Sequence, residues 1–538
     1  MSRTILQGDA MLRFVMWTGT LLMSLAVLLA PNLAAAQGPK TLRFIPQADL
    51  RILDPVWSTA YITQHHAYLV YDTLFALDEQ LKPHPQMVDR WTVSDDKLTY
   101  TFTLRDGLKF HDGLPVLPAD CIASIARWGK RDVFGQKLME VVADMSPVDD
   151  KSFKITLKKP FPLIIDALAK LHGSAFIMPE RVAKTDAFKQ ITDFTGSGPF
   201  KFVKEEWEPG HKVVYAKFAD YVPRKEKPSW VAGGKVVKFD RVEWIYIPDS
   251  ATAAAALNNG EVDWWELVPS ELLPVFAGNK AVTVNKKPDP LGTLGLLRFN
   301  QMQPPFDNVK LRQAFLYAVD QREYMAAVVG DPAMWRVCYS VFTCGTPLAN
   351  DAGIEAIAGK RDLERAKQLI REAGYKNEKI VLLDPSDYAI VHAEALVTAD
   401  LMRKLGLNVE VATSDWGTLL ARRASKEPVE KGGWSAFHTS TVGPDMTDPA
   451  QNSQLRGNGA DGWFGWPTDA KLEALREAWF AAPDLATQQK IAAEIQAEAY
   501  ASVPYITIGQ FDRPTAYRSN LTGYVAAPLP ILWSIDKQ

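Results

Sequence analysis

The sequence predicts an α/β protein of two to three domains, built on mixed sheets with flanking helices. Three observations carry that expectation. The chain has 538 residues, of which 47% are hydrophobic, enough to bury more than one large core. From Asp362 onward, strand-like and helix-like segments alternate, the succession that builds a sheet with parallel pairs. Mid-chain, Leu294 to Asp320 reads as an apolar strand, two prolines and an amphipathic helix. In that helix Leu311, Ala314, Phe315, Ala318 and Val319 fall at helical spacing, and Asp307 or Asn308 is placed to cap its start.

Charge excludes some partners. The formal net charge is −3 and the pI is near 6.3, so neither nucleic acid nor an anionic membrane is expected. The 16 tryptophans belong mostly to cores, although aromatics also line clefts for organic ligands. Near the amino terminus, Arg3 and Arg13 precede an apolar run from Phe14 to Leu29, and Ala34-Ala35-Ala36 offers a small-x-small cleavage site before Gln37. Thr18, Gly19, Thr20 and Ser24 interrupt the run, so a cleaved leader is expected over an uncleaved anchor. No cysteine precedes Cys121, so a lipid-anchored form lacks its modified residue. The expectation is a periplasmic protein, cleaved after Ala36 and not lipid-anchored.

Three cysteines is an odd number for an exported chain. The spacing of Cys338 and Cys344 favours a small disulfide loop in an oxidising compartment, with two reduced thiols or an incomplete metal pair as alternatives. Cys121 reads as a buried, inert thiol on a helix.

In chain order, Lys40 to Pro46 is the first strand. Leu53-Asp54-Pro55 follows, then Tyr61, His65, His66, Tyr68 and Tyr71-Asp72-Thr73-Leu74-Phe75. The two histidines read as metal ligands or, with no carboxylate at ligand spacing, as helix-surface residues. Leu98 to Arg105 alternates as a half-buried strand; Asp106-Gly107 makes a turn, Leu108-Lys109-Phe110 a return strand and His111-Asp112-Gly113 a second turn. Phe153 to Lys158 is another strand. Gly196-Ser197-Gly198-Pro199-Phe200 lacks the Gly-Lys-Ser/Thr of a phosphate loop. Tyr221 to Trp244 is a polar, proline-punctuated loop ending in a strand, Ala251 to Leu257 a helix closed by Asn258-Asn259-Gly260, and Glu261 to Glu266 a strand. Beyond the mid-chain helix, Asp362 caps a helix stopping at Gly374. Then come a strand (Lys379 to Leu383), a helix (Val391 to Leu405), a strand (Leu407 to Val411) and a helix from Trp416. Gly432 to Pro467 is long, glycine-rich and aromatic, either a ligand-holding loop or a surface loop with its rings tucked under. Thr468 caps a helix to Phe480, a second runs from Thr487 to Ser502, and Val503 to Phe511 is a strand.

The run from Tyr100 to Gly113, the Leu-Asp-Pro and Tyr-Asp-Thr-Leu-Phe segments, the Gly-x-Gly-Pro-Phe turn and the mid-chain strand together resemble the periplasmic solute-binding proteins of family 5, the peptide/nickel class that serves ABC importers. The resemblance covers the mature chain in order. It implies a two-lobe periplasmic binding-protein fold with an extra subdomain in lobe I and a hinge between the lobes. The boundaries would be a signal peptide at 1–36, lobe I at 37–293 with an inserted subdomain at about 81–194, lobe II at 294–504, and a return to lobe I at 505–538. It implies a monomer that captures a peptide or similar solute, delivers it to permease subunits in the inner membrane, uses no cofactor and performs no chemistry.

Within that resemblance Asp445 is the match for the aspartate that accepts a peptide's α-ammonium group, and Asp448 is the second choice. Trp434, Trp463 and Trp466 offer stacking faces, and Tyr61, Tyr388 and Trp416 fall in segments bordering the cleft. One departure stands out. Dipeptide binders carry an arginine for the peptide carboxylate where this sequence reads Asp384 to His392 without one, which leaves room for a longer peptide, an opine-like or amino-acid derivative, or a sugar-like solute. The rival readings are a secreted hydrolase, for which His-Glu-x-x-His and Gly-x-Ser-x-Gly are missing, and a binding protein that reports to a chemoreceptor.

Overall fold

The computed structural model describes residues 39–538; the leader expected over 1–36 lies outside them. Two large sheets organise the chain from Thr41 to Gln538. The first has seven strands in the order Phe200–Phe202, Lys212–Lys217, Arg241–Ile245, Thr41–Ile45, Trp264–Trp265, Thr515–Arg518 and Val282–Asn285. The second has six, in the order Trp335–Arg336, Tyr505–Phe511, Thr293–Phe299, Ala436–Val442, Ile380–Pro385 and Val409–Ser414. The first and second lobes are the parts built on these sheets.

Every residue of Thr293–Phe299, Ala436–Val442 and Tyr505–Phe511 is buried. With both faces covered, the strands lose the in-out alternation of a half-exposed sheet, and even their polar members Arg298, His438, Thr507 and Gln510 are buried. Thr293–Phe299 lies between the other two, antiparallel to both. A bulge interrupts its pairing between Gly295 and Leu296. Opposite sits Gly509 at φ +132°, where a Cβ would fall 2.6 Å from the Met325 side chain, so only glycine fits. The position of Tyr505–Phe511 corrects one boundary. The sequence reading returns the chain to the first lobe at residue 505, but this apolar strand needs cover on both faces and finds it inside the second sheet. The return falls between Phe511 and Thr515.

Around the second sheet, Ile380–Pro385 pairs in parallel with Val409–Ser414 and with Ala436–Val442, and the helix Ala389–Lys404 supplies the connection. Caps fix the helix starts. The Asn308 side chain, not Asp307, accepts from Lys310 N at 3.0 Å, and Asp362 accepts from Arg365 N at 2.9 Å. Asp469 rather than Thr468 caps Ala470–Phe480, accepting from Leu472 N, and Asp484 starts the last long helix at Leu485.

Thr99–Leu104 sits inside a four-stranded sheet between Val88–Val93 and Ser152–Leu157. Both of its edges are taken, so Asp106-Gly107 turns the chain without making a hairpin, and Lys109 bridges Pro115 instead. Gly196 and Gly198 touch the end of the helix Tyr61–Val70: a Cβ would lie 1.8 Å from the Val70 carbonyl oxygen and 2.6 Å from that of Leu69. These glycines serve close packing.

The histidine pair is corrected as well. The helix Tyr61–Val70 is buried from Ile62 to Val70, so His65 and His66 are interior residues rather than surface ones. His66 Nδ1 meets the Tyr215 hydroxyl at 2.9 Å, and burial pushes its pKa down to about 3. His65 Nδ1 lies 3.2 Å from Glu266. Among the described residues no group of three or more His, Cys, Asp or Glu is placed to hold a metal ion, and no helix is long and apolar enough to cross a membrane. Cys338 and Cys344 are joined, with Cα atoms 5.9 Å apart. Cys121 is buried, and burial pushes its thiol pKa up.

Candidate functional site

A cavity of about 890 Å³ lies between the lobes, a size that suits an organic ligand. The first lobe lines it with Pro55 to Trp57, Thr59 to Ile62, Trp128 to Val133, and Lys170, His172 and Gly173. The second contributes Tyr388, Trp416, Arg423, Thr439 to Thr441, Asp445 and Ala460 to Phe464. Asp54, from the Leu-Asp-Pro segment, fixes the first wall. It is fully buried, accepts from Val56 N (3.0 Å) and Ile191 N (3.0 Å), and takes both ends of the Arg127 guanidinium at 3.0 and 2.7 Å. A buried aspartate with every lone pair engaged holds its loop rigidly.

Asp445 stands on the short turn Gly443–Met446, directly after the strand Ala436–Val442. Its carboxylate is held across the cleft by the first lobe: His172 Nδ1 donates to Oδ1 at 2.9 Å and the Tyr61 hydroxyl to Oδ2 at 2.8 Å. The same hydroxyl accepts from Val442 N at 2.9 Å. Burial, then the Asp445 charge, pushes the Tyr61 phenol well above its ordinary pKa, so it remains a donor at any physiological pH. Further contacts cross the cleft: Tyr388 Oη donates to Gln47 Oε1 (3.3 Å), Trp463 Nε1 to Thr59 Oγ1 (3.3 Å) and Arg456 Nη1 to Gln136 Oε1 (3.1 Å).

Of the expected site residues, the structure brings Asp445, Trp463, Trp466, Tyr61, Tyr388 and Trp416 to the cavity. Trp466 reaches it from a left-handed backbone at φ +48°, a conformation that costs about 1–3 kcal/mol in a non-glycine residue. Trp434 and Asp448 are corrected. Trp434 is fully buried behind the wall, with its ring against Phe437 and Trp466 and its Nε1 donating to the Arg423 carbonyl. Asp448 is spent on its own turn, accepting from Ala450 N, Gln451 N and Thr447 Oγ1 at 2.8, 2.9 and 3.1 Å. Composition singled out a loop that reaches the cavity, but a loop has an inner and an outer layer that composition does not separate.

Comparison with known proteins agrees with this geometry. Residues 82–463 match the bacterial extracellular solute-binding proteins, family 5. A probable peptide ABC transporter periplasmic-binding protein of Sinorhizobium fredii, y4tO, is 41% identical over 521 residues, which is 95% of this chain and 97% of the relative. The chain belongs to family 5. It is the substrate-binding component of an ABC importer. The glutathione-binding protein GsiB of Pectobacterium atrosepticum is 28% identical, covering 88% of this chain and 90% of its own length. Two solved structures share the fold. AgaA of A. tumefacien R10, in complex with agropinic acid, has a TM-score of 0.78 at 24% identity, covering 93% of this chain and 99% of that one. DppA of Helicobacter pylori, in complex with the peptide STSA, has a TM-score of 0.77 at 20% identity, covering 94% and 99%.

One site residue of this family 5 chain was missed by sequence reasoning. Arg423 lies at the C-terminal end of the helix Trp416–Arg422 and lines the cavity at 3% exposure. Its guanidinium carbon is 4.6 Å from the Phe464 ring centre, 5.3 Å from Trp463, 5.8 Å from Phe437 and 5.9 Å from Trp416. A second arginine follows Arg422 directly at the end of an amphipathic helix, and such a residue normally reads as a solvated helix end. Only the folded positions of Phe437, Trp463 and Phe464 show it to be enclosed.

Proposed function

We propose that the protein captures a short peptide, or a peptide-like solute with a free amino group, between its lobes. Asp445 accepts the ammonium group, and the two segments joining the lobes, 286–292 and 512–514, act as the hinge of closure. The protein works as a soluble periplasmic monomer, released by cleavage after Ala36, and hands its ligand to permease subunits in the inner membrane. The observation that carries this reading is the Asp445 carboxylate, only 14% exposed on the wall of the interlobe cavity, where a charge-assisted hydrogen bond is strong. The name of the Sinorhizobium fredii relative supports a peptide.

Calorimetric titration with matched di- to pentapeptides, free and N-acetylated at the amino end, tests it. Free peptides should bind at least about tenfold tighter, and Asp445→Asn should erase the preference. Equal affinity for both forms would remove Asp445 from this role, and binding of none of them would remove peptides as the ligand.

A further inference from the structure

Arg423 is electrostatically unusual among the cations at the cleft. Arg456 is paired with Glu473, Lys170 with Asp132, and Arg131 donates to the Trp57 carbonyl. Among the described residues no hydrogen bond or ion pair reaches the Arg423 guanidinium, and its Nε is buried with no acceptor. Burial of a guanidinium without a counter-charge is strongly unfavourable, and the faces of four rings offset only part of that. Burial lowers its pKa to about 9, so it is still a cation at neutral pH. The site therefore holds a positive charge whose donors have no partner in the protein.

We propose that Arg423 is the anchor for a carboxylate on the ligand. This rests on the cleft being the ligand site. A guanidinium presents a planar fork that matches a carboxylate in two parallel hydrogen bonds, and the surrounding rings hold the fork while excluding water. Asp445 lines the same cavity, so the favoured ligand carries charges of both signs: an ammonium for Asp445 and a carboxylate for Arg423. This assignment fills the gap left by Asp384 to His392, where no arginine stands. The cavity of about 890 Å³ has room for more than a single amino acid.

The test uses the full-length mature protein and di- to pentapeptides of alanine and phenylalanine, each as the free acid and as the C-terminal amide. The wild-type protein should bind acids at least about tenfold tighter than the matching amides. Arg423→Met should lose that preference, binding the acid and the amide of each peptide alike, and Arg423→Lys, which keeps the charge without the fork, should retain part of it. The acid–amide comparison on the wild-type protein is independent of whether either variant folds. Acids and amides binding alike would overturn the inference and leave the peptide reading standing, with Arg423 serving only to pack the rings. Binding of no peptide in either form would overturn both.

Discussion

Two charged parts of the cavity wall are built on opposite plans. At the Asp445 end the carboxylate is already satisfied, with His172 and Tyr61 reaching over from the first lobe to fill it. At the Arg423 end the guanidinium is enclosed by rings of its own lobe and has no polar partner among the described residues. In the proposed reading the satisfied charge that spans two lobes serves closure as well as binding, whereas the unsatisfied one within a single lobe serves binding alone. A carboxylate has room for about four hydrogen bonds, so a ligand ammonium can join His172 and Tyr61 at Asp445 without displacing them. At Arg423 a ligand carboxylate meets donors that no protein acceptor among the described residues occupies.

The largest expected effect sharpens the Arg423 end. Trp434 backs that end from behind, filling core space against Phe437 and Trp466, so Trp434→Ala should cost about 3–5 kcal/mol of stability in denaturant unfolding. Trp463→Ala, on the cleft face and only partly buried, should cost far less stability and show its loss in ligand affinity. If the two variants unfold alike, the division into a lining layer and a backing layer fails.

Next comes the Asp445 end. Asp445→Ala leaves two donors of the other lobe without their acceptor, and truncating one side of a buried charged contact costs about 2–5 kcal/mol. Small-angle scattering of the ligand-free protein should show this variant more open than wild type, while Arg423→Met should leave the ligand-free shape unchanged. A matching change of shape in both variants would break the contrast between the two ends.

The joining segment supplies a pH signature. Asp289 is buried, with Oδ1 accepting from Leu291 N at 3.0 Å and Oδ2 without a partner. Burial raises its pKa to about 6, opposed by the Leu291 N–H and by Arg513. The folded protein therefore holds this proton more tightly than the unfolded chain, whose carboxyl titrates near 4. The resulting stabilisation is complete below pH 4 and is lost as pH rises through 6. Asp289→Asn keeps the shape and removes the titration, so at pH 7.5 it should be more stable than wild type by about 1–3 kcal/mol, with the advantage vanishing near pH 4. Parallel pH profiles for the two proteins would sink this account of Asp289.

Much of this was legible before the fold. Alternation in Thr99–Leu104, the cap at Asp362 and the largely apolar strand Thr293–Phe299 follow from local periodicity and capping chemistry, which a single sequence displays. The partners of a segment are not displayed. Tyr505–Phe511 reads as a strand whichever sheet it joins, and nothing local assigns it to the second. His65 and His66 look like surface residues until the rest of the chain covers their helix. The same limit hid Arg423: its rings come from Trp416, from the strand carrying Phe437 and from the loop carrying Trp463 and Phe464, which no spacing rule connects. Asp445 was found because its segment carries a family resemblance, and Trp434 was misplaced because a tryptophan in a glycine-rich loop has the same composition whichever way it points.

The smallest effect bears most directly on how the two ends differ. Tyr61→Phe removes one hydroxyl that donates to Asp445 and accepts from Val442 N, a loss of about 1–2 kcal/mol because a buried N–H goes unpaired. That contact joins the lobes in the ligand-free protein, so its loss weakens closure with or without ligand. Affinity should then fall only by the share of closure that ligand binding must newly supply, no more than about tenfold. The preference for free over N-acetylated peptides should survive, since the Asp445 carboxylate is intact. A titration in which Tyr61→Phe abolishes that preference would mean that the hydroxyl, rather than the carboxylate, is what the ligand's amino end meets.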